Sequence, residues 1–317
     1  MAAPSPQGEG KKAANRAFHL RGRWHEVPDE VYYNRREEVK QFRKMTYPYV
    51  IWISIMVVLP MLLIMFYAFT KQGNSVTQFS FTLENFGRFV SDKVFLEVLG
   101  RSLRVALITT VVCVLIGYPA AYYIAKCSEG LKMKWVLIIT FPTWINMLVR
   151  TYAWIGILQD DGIINSILGI FGIGPITMLH TEFAVVLGMV YNFIPFMILQ
   201  IYTSLTKMDN SLIEAAQDLG ANRFKCFTKV TLPLSIPGVI SGITLVFLPA
   251  VSSFCIPKLL GGGQYVLVGN VIESQFLTSG DWNFGSAISL IMAIIIMISM
   301  YVTKKIDTTE ISENSKA

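Results

Sequence analysis

Six stretches of this chain stay apolar long enough to cross a bilayer, and polar segments punctuate them. A helix needs about 20 residues to span a hydrocarbon core of about 30 Å. The pattern places such helices near Tyr47–Phe69, Arg101–Ala125, Lys134–Leu158, Phe183–Leu205, Pro237–Pro257 and Phe284–Thr303. It predicts an all-α integral membrane protein, with a six-span domain over 46–305 between tails at 1–45 and 306–317. The first apolar run is too long and too deep in the chain for a signal peptide.

One interruption is unlike the others. Between the fourth and fifth spans the loop 206–236 contains SLIEAAQDLGANRFKCFTKVTLP, Ser211 to Pro233. It is too charged for lipid and too ordered in pattern for slack linker. Ser211 and Glu214 have the spacing of a capping box, in which each side chain takes the other residue's backbone N–H. Gly220 stands where a left-handed helix stop belongs. Between them Leu212, Ala215, Ala216 and Leu219 share one face of a two-turn helix. Asn222 can cap a second short helix, with Phe224 and Phe227 on one side and Lys225 and Lys229 on the other. Pro233 and Pro237 then predict a break that opens the fifth span. A two-turn helix is not stable alone in water, so this one docks, either on its own neighbours or on another protein.

Composition and charge agree with the pattern. Of 317 residues 53% are hydrophobic and 15% charged, against about 25% charged in soluble domains. Lys126, Lys132, Lys134, Lys207, Arg223, Lys225, Lys229, Lys304 and Lys305 gather on one side of the predicted spans, and the loop 159–182 has no Lys or Arg. The positive-inside rule then puts both termini in the cytoplasm. Arg101 and Arg104, at the outer end of the second span, run against the trend. In the N-terminal tail, the first sixteen residues read as disordered. Asp29–Lys44 reads as a surface-lying helix or as a solvated linker.

Several classes are excluded. The net charge of +6 forms no Lys/Arg stripe interleaved with aromatics, so nucleic acid is not expected. Cys113, Cys127, Cys226 and Cys255 are scattered and form no metal or disulfide pattern. His25-Glu26 lacks the second histidine of a zinc motif, and no metal site is expected. No span carries paired carboxylates or a nucleophile with its base. There is no G-x-x-x-x-G-K-[ST] phosphate loop, and Gly261-Gly-Gly263 is not followed by one. The chain is expected to bind no cofactor and to catalyse nothing.

Glu214-Ala215-Ala216-x-x-x-Gly220, nine residues, then Val230-x-Leu232-Pro233 resembles the EAA loop of ABC importer permeases. Val230 stands where that family has Ile. The resemblance implies the type I importer permease fold, with the first short helix as a coupling helix seated in a groove of a cytoplasmic ATPase dimer. ATP and magnesium would be used there, not in this chain. Tyr118-Pro119, Trp144-Ile-Asn146, Arg150-Thr-Tyr152, Asn192-Phe-Ile-Pro195, Leu267-Val-Gly269-Asn270 and Asp281-Trp282 resemble the first permease of spermidine/putrescine importers. That likeness implies a second, different permease, an external polyamine-binding protein and alternating access across the bacterial inner membrane.

A polyamine path needs acceptors and aromatic faces for ammonium groups. Trp144, Asn146, Tyr152 and Tyr191 are candidates within spans, with Trp144 first because Pro142 predicts a kink there. Residues of these types in spans are more often packing or interface anchors than ligand contacts. Asp160, Asp161, Glu182, Glu273 and Asp281 give the outer loops negative charge that could draw a cation or dock the binding protein, or be ordinary solvated charge. Arg150 costs about 2.5–3.5 kcal/mol near mid-bilayer unless it faces water or pairs with an acid such as Asp160 or Asp161. It would repel a cation, so it reads as structural or gating. An anion importer would use it directly; an anion or an iron chelate is the alternative cargo class. A solitary secondary transporter or channel is the rival that leaves the docking helix idle.

Overall fold

The computed structural model describes residues 46–71 and 80–314, with side chains up to residue 305. The expectations for the N-terminal tail, including Asp29–Lys44 and His25, lie outside the described residues. The chain divides into two compact units, Met1–Leu62 and Leu63–Ala317. Of the first, residues 46–62 are described. They belong to helix α1, Thr46–Ala68, which contains one π-helical turn, Ser54–Val58.

Among the described residues the second unit is mainly helical, with one isolated antiparallel bridge, Thr70 to Phe81. A short helix α2, Glu84–Ser91, precedes the long α3, Lys93–Ala125. The second span thus begins about two turns before the apolar run does. Asp92 sets that start, because its carboxylate accepts the Val94 N–H at 2.9 Å. Helix α4, Glu129–Thr140, runs through a tight 3₁₀ turn, Phe141–Trp144, and the chain then bends by 91° into α5, Met147–Leu158, and α6, Ile163–Ile170. The third span, expected over Lys134–Leu158, is not one helix but two joined at this bend. Pro142 foretold a kink; the near-right angle comes from Ile145 and Asn146, which leave helical dihedrals altogether. Asn146 restarts the helix by accepting the Leu148 N–H at 2.8 Å.

Helix α7, Glu182–Lys207, starts where Thr181 Oγ1 accepts the Ala184 N–H. After α8, Ser211–Asp218, comes α9, Arg223–Ser252. Two short helices, α10 (Cys255–Leu260) and α11 (Val268–Ser274), lead through a further π turn, Gln275–Ser279, to α12, Trp282–Asn314. Among the described residues, five helices are long and apolar enough to cross a membrane, and six spans result if the bent pair counts as one.

Helices α3, α7 and α9 pack on one another to form the centre of this unit. Lipid is as apolar as leucine, so close van der Waals fit rather than exclusion from water holds such helices together. The fit is visible at Gly238, where a Cβ would lie 2.4 Å from Ser204 Cβ, and at Gly242, where it would lie 2.5 Å from Met197 Sδ. Val105, Cys113, Met189, Met197, Ile201 and Val246 fill the seam and are buried.

Candidate functional site

The polar segment after α7 builds itself from local chemistry. Helix α8 begins one residue earlier than a Ser211 cap would require, because Asn210 already has helical dihedrals. The Glu214 N–H therefore goes to the Asn210 carbonyl at 3.1 Å, and the expected Ser211–Glu214 capping box does not form. Asp209 does the work instead. Its carboxylate accepts the Ser211 N–H at 2.9 Å, and that bond, followed by one from the Ser211 hydroxyl, holds the acid below its ordinary pKa. The signal was local: an Asp two residues before Ser is an Asx-turn spacing.

At the other end Gly220 has φ +81°. Its N–H reaches the Gln217 carbonyl at 2.8 Å and the Ala221 N–H reaches Ala216 at 3.0 Å, the pair of bonds of a Schellman stop. Asn222 then caps α9 by accepting the Lys225 N–H at 2.8 Å. The proline break does not occur. A π turn, Phe227–Thr231, carries the chain into the span, and the Leu232 N–H bonds five residues back to Phe227. The wider turn relaxes the i−4 register just where Pro233 has no N–H to give, so the helix continues. Pro237 and Pro249 sit inside it.

That π turn is gripped by α3. The Phe227 ring meets Tyr122 at 5.2 Å and Tyr118 at 5.9 Å, both edge to face. Tyr118 Oη lies 2.8 Å from Ser235 Oγ, and Lys126 Nζ lies 4.2 Å from the Tyr122 ring. Helix α8 packs back on the segment Arg223–Thr231. Only Ile213 and Ala216 of α8 are half-buried; Ser211, Leu212, Glu214 and Ala215 are exposed. Leu219 is 90% exposed and Phe224 73%. Further along, Val230 and Pro233 are half-buried and Leu232 is exposed. The result is a stiff peg with an open apolar tip and a clamped base.

The candidate path residues are not gathered in one place. Trp144 lies exposed at the 91° break, its ring 6.1 Å from Phe141, and Asn146 is occupied as the cap of α5. Tyr152 is exposed. Tyr191 stacks edge-on with Trp154 at 5.4 Å. Asp160 and Asp161 are exposed in the turn after α5, a helix of about 18 Å away from Trp144. Arg150 does not pair with either acid. Its guanidinium stands 5.9 Å over the Tyr191 ring, and its Nε and Nη1 are buried without an acceptor. The reason is helical geometry: Arg150 is near the start of α5 and the acids follow its end.

The remaining acids of the same loops are engaged in ion pairs between separate elements. Arg104 pairs with Glu182, Arg88 with Asp281 at 3.0 Å, and Lys258 with Glu273 at 2.7 Å. Arg88 also lies 4.2 Å over the buried Phe284 ring, and Arg101 lies 5.7 Å over Tyr265. The Leu267–Asn270 stretch is structural. Val268 N–H donates to Ser102 Oγ at 2.8 Å, and Asn270 donates to the Phe254 carbonyl at 2.7 Å. Sequence reading missed these pairings because their partners are far apart in the chain and carry no local pattern.

Residues 37–308 match the family described as binding-protein-dependent transport system inner membrane component. The chain belongs to that family. Among members similar to it is the spermidine/putrescine transport system permease protein PotB of Haemophilus influenzae, 40% identical over 266 residues, covering 83% of this chain and 93% of the relative. Another is PotB of Escherichia coli K12, 38% identical over 254 residues, covering 79% and 92%. In fold the chain resembles one from a bacterial ABC transporter involved in the import of the acidic polysaccharide alginate. The TM-score is 0.70 at 17% identity, over 88% of this chain and 98% of that one. A chain of the MetNI methionine ABC transporter, in an inward-facing conformation, matches with a TM-score of 0.53 at 16% identity. These likenesses speak to the fold, which is that of the membrane-spanning part of importers. Within this inner-membrane family, the α8 segment is where the chain leaves the apolar spans for an ordered polar peg.

Proposed function

We propose that this chain is the permease subunit of an ATP-driven polyamine importer and that α8 is its coupling element. The observation that carries the mechanism is the asymmetry of α8. Leu212 on α8, and Leu219 and Phe224 just beyond its end, are exposed, while Phe227 is held by Tyr118 and Tyr122. A cytoplasmic ATPase dimer grips Leu212, Glu214, Ala215 and Leu219, with Ser211 and Ala216 holding the helix and Gly220 its stop. Val230, Leu232 and Pro233 transmit the movement into α9. Closure of the ATPase on ATP and magnesium then shifts α9 and α3 together, a rigid-body change between inward- and outward-facing states. The chain itself catalyses nothing.

The cargo assignment rests on the 38–40% identity to the spermidine/putrescine permeases. Both termini lie in the cytoplasm in this reading, so α8 is inside and the α10–α11 region outside. A second, different permease completes the pathway and an external polyamine-binding protein delivers the cargo. Trp144 and Asn146 at the break border that pathway, Tyr152 and Tyr191 flank it, and Asp160 and Asp161 are acids without an ion pair among the described residues. An anion importer is the second reading, favoured by the unpartnered Nε and Nη1 of Arg150.

Uptake of labelled putrescine against labelled sulfate by the reconstituted four-component system separates the two. The polyamine reading expects putrescine uptake that requires ATP and falls in Trp144→Ala with the complex still assembled. Sulfate uptake without putrescine uptake overturns it, and an unchanged rate in Trp144→Ala removes that residue from the path.

A further inference from the structure

A cavity lies away from α8 and from the break, in the region between α9 and α12. Its volume is ≈ 400 Å³, within the range of about 300–1,000 Å³ that small-molecule sites occupy. Phe95 of α3 closes one side, and Pro257 and Lys258 of α10, Tyr265, α11 and the π turn Gln275–Ser279 form the rest. The wall is rigid: Asn270 donates to Phe254 and accepts the Leu267 N–H, and a Cβ at Gly269 would lie 2.6 Å from the Ser252 carbonyl. π turns concentrate at functional sites, and this one turns Gln275 and Thr278 toward the cavity.

The polar part of the lining is the Glu273–Lys258 pair with Ser274, Gln275 and Thr278 beside it and Tyr265 as the polar aromatic. The Glu273 side chain is 19% exposed, whereas that of Lys258, whose ammonium meets it at 2.7 Å, is 60% exposed. Both side chains line the cavity; the carboxylate is the more enclosed of the two, and the ammonium meets it on a flexible, more exposed stem. A carboxylate so enclosed needs a cation, and a primary ammonium on a free alkyl chain is the same chemical group as the one Lys258 supplies.

We propose that this cavity is a receiving site for a primary ammonium group of an aliphatic diamine or polyamine, in which the ligand takes Glu273 from Lys258. The proposal rests on the polyamine reading above, which places the cavity on the outer side. Lys258 holds the site closed when cargo is absent. A cargo ammonium that binds Glu273 frees Lys258 to swing into water, and Tyr265 and Phe95 offer their faces to the alkyl chain.

A structural ion pair and an exchangeable one differ in the sign of two substitutions. In the reconstituted complex, Glu273→Gln is expected to raise the putrescine concentration for half-maximal uptake by about tenfold or more. Lys258→Met is expected to lower it, because the internal competitor is gone. Equal impairment by both, or no change in either, overturns the proposal while leaving polyamine uptake by the parent complex intact. Cys255 gives a readout independent of transport. Its thiol is half-buried on the same helix as Lys258, and burial, then Glu273, push its pKa up while Lys258 opposes them. Putrescine is expected to change the rate of Cys255 alkylation by maleimide in the parent complex and not in Glu273→Gln, read by mass spectrometry. A changed rate without polyamine uptake keeps the site and overturns the cargo reading; an unchanged rate overturns the site.

Discussion

Tyr118 donates its phenolic hydrogen to Ser235 Oγ across 2.8 Å, tying the C-terminal part of α3 to the start of the α9 span. The direction follows from the serine, whose single proton goes to the Leu232 carbonyl at 2.9 Å. The bond sits beside the Phe227 clamp. In the proposed coupling, a movement of α8 reaches two spans at once.

Breaking that tie tests how force leaves the peg. Hydrogen bonds between membrane helices contribute about 0.6 kcal/mol on average and at most about 1.7. Tyr118→Phe and Ser235→Ala are each expected to lower the melting temperature of the complex slightly, and the double variant no further. Phe227→Ala removes ring contacts to both tyrosines and is expected to do more: more ATP hydrolysed per polyamine imported. Unchanged coupling in Phe227→Ala would mean that the clamp carries no movement.

Gly220 offers a graded perturbation of α8. Its φ of +81° costs an L residue about 1–2 kcal/mol, so Gly220→Ala is expected to reduce uptake partially. Gly220→Pro cannot reach that conformation and loses the N–H given to Gln217. It is expected to abolish uptake while the protein still inserts, and Glu214→Arg to do the same by reversing charge in the first turn of α8. Uptake measured against membrane-inserted protein checks both.

The spans were legible because about twenty apolar residues in a row permit little else. The Gly220 stop and the Asn222 cap were legible because each acts within three residues of itself. What escaped was of two kinds. The π turn let Pro233 pass without a break, and a proline rule built on i−4 bonding has no way to foresee that. The ion pairs Arg104–Glu182 and Arg88–Asp281 join residues brought together only by packing. Those acids looked available for cargo until their partners were known. The Ser211 capping box failed on a single residue, Asn210, whose helical dihedrals moved the start of α8.

Asp209 gives α8 a pH dependence of known sign. Its pKa is lowered by the bonds from Ser211, so the unfolded segment binds its proton first as the pH falls. The stabilisation is complete above the ordinary carboxylate value of about 3.9 and is lost as the pH drops through the lower, folded value. Asp209→Asn is expected to reduce hydrogen-exchange protection of the Ser211 amide at neutral pH, with the difference from the parent vanishing in acid. A difference that persists unchanged in acid would remove the carboxylate from the cap.

The coupling claim is tested most directly at Leu219, which is 90% exposed at the tip of the peg. In Leu219→Cys, a thiol reagent is expected to react readily with the permease alone and to be blocked once the ATPase assembles, in a complex that still imports putrescine. Equal reactivity with and without the ATPase, in a complex that imports putrescine at the parent rate, would contradict the account.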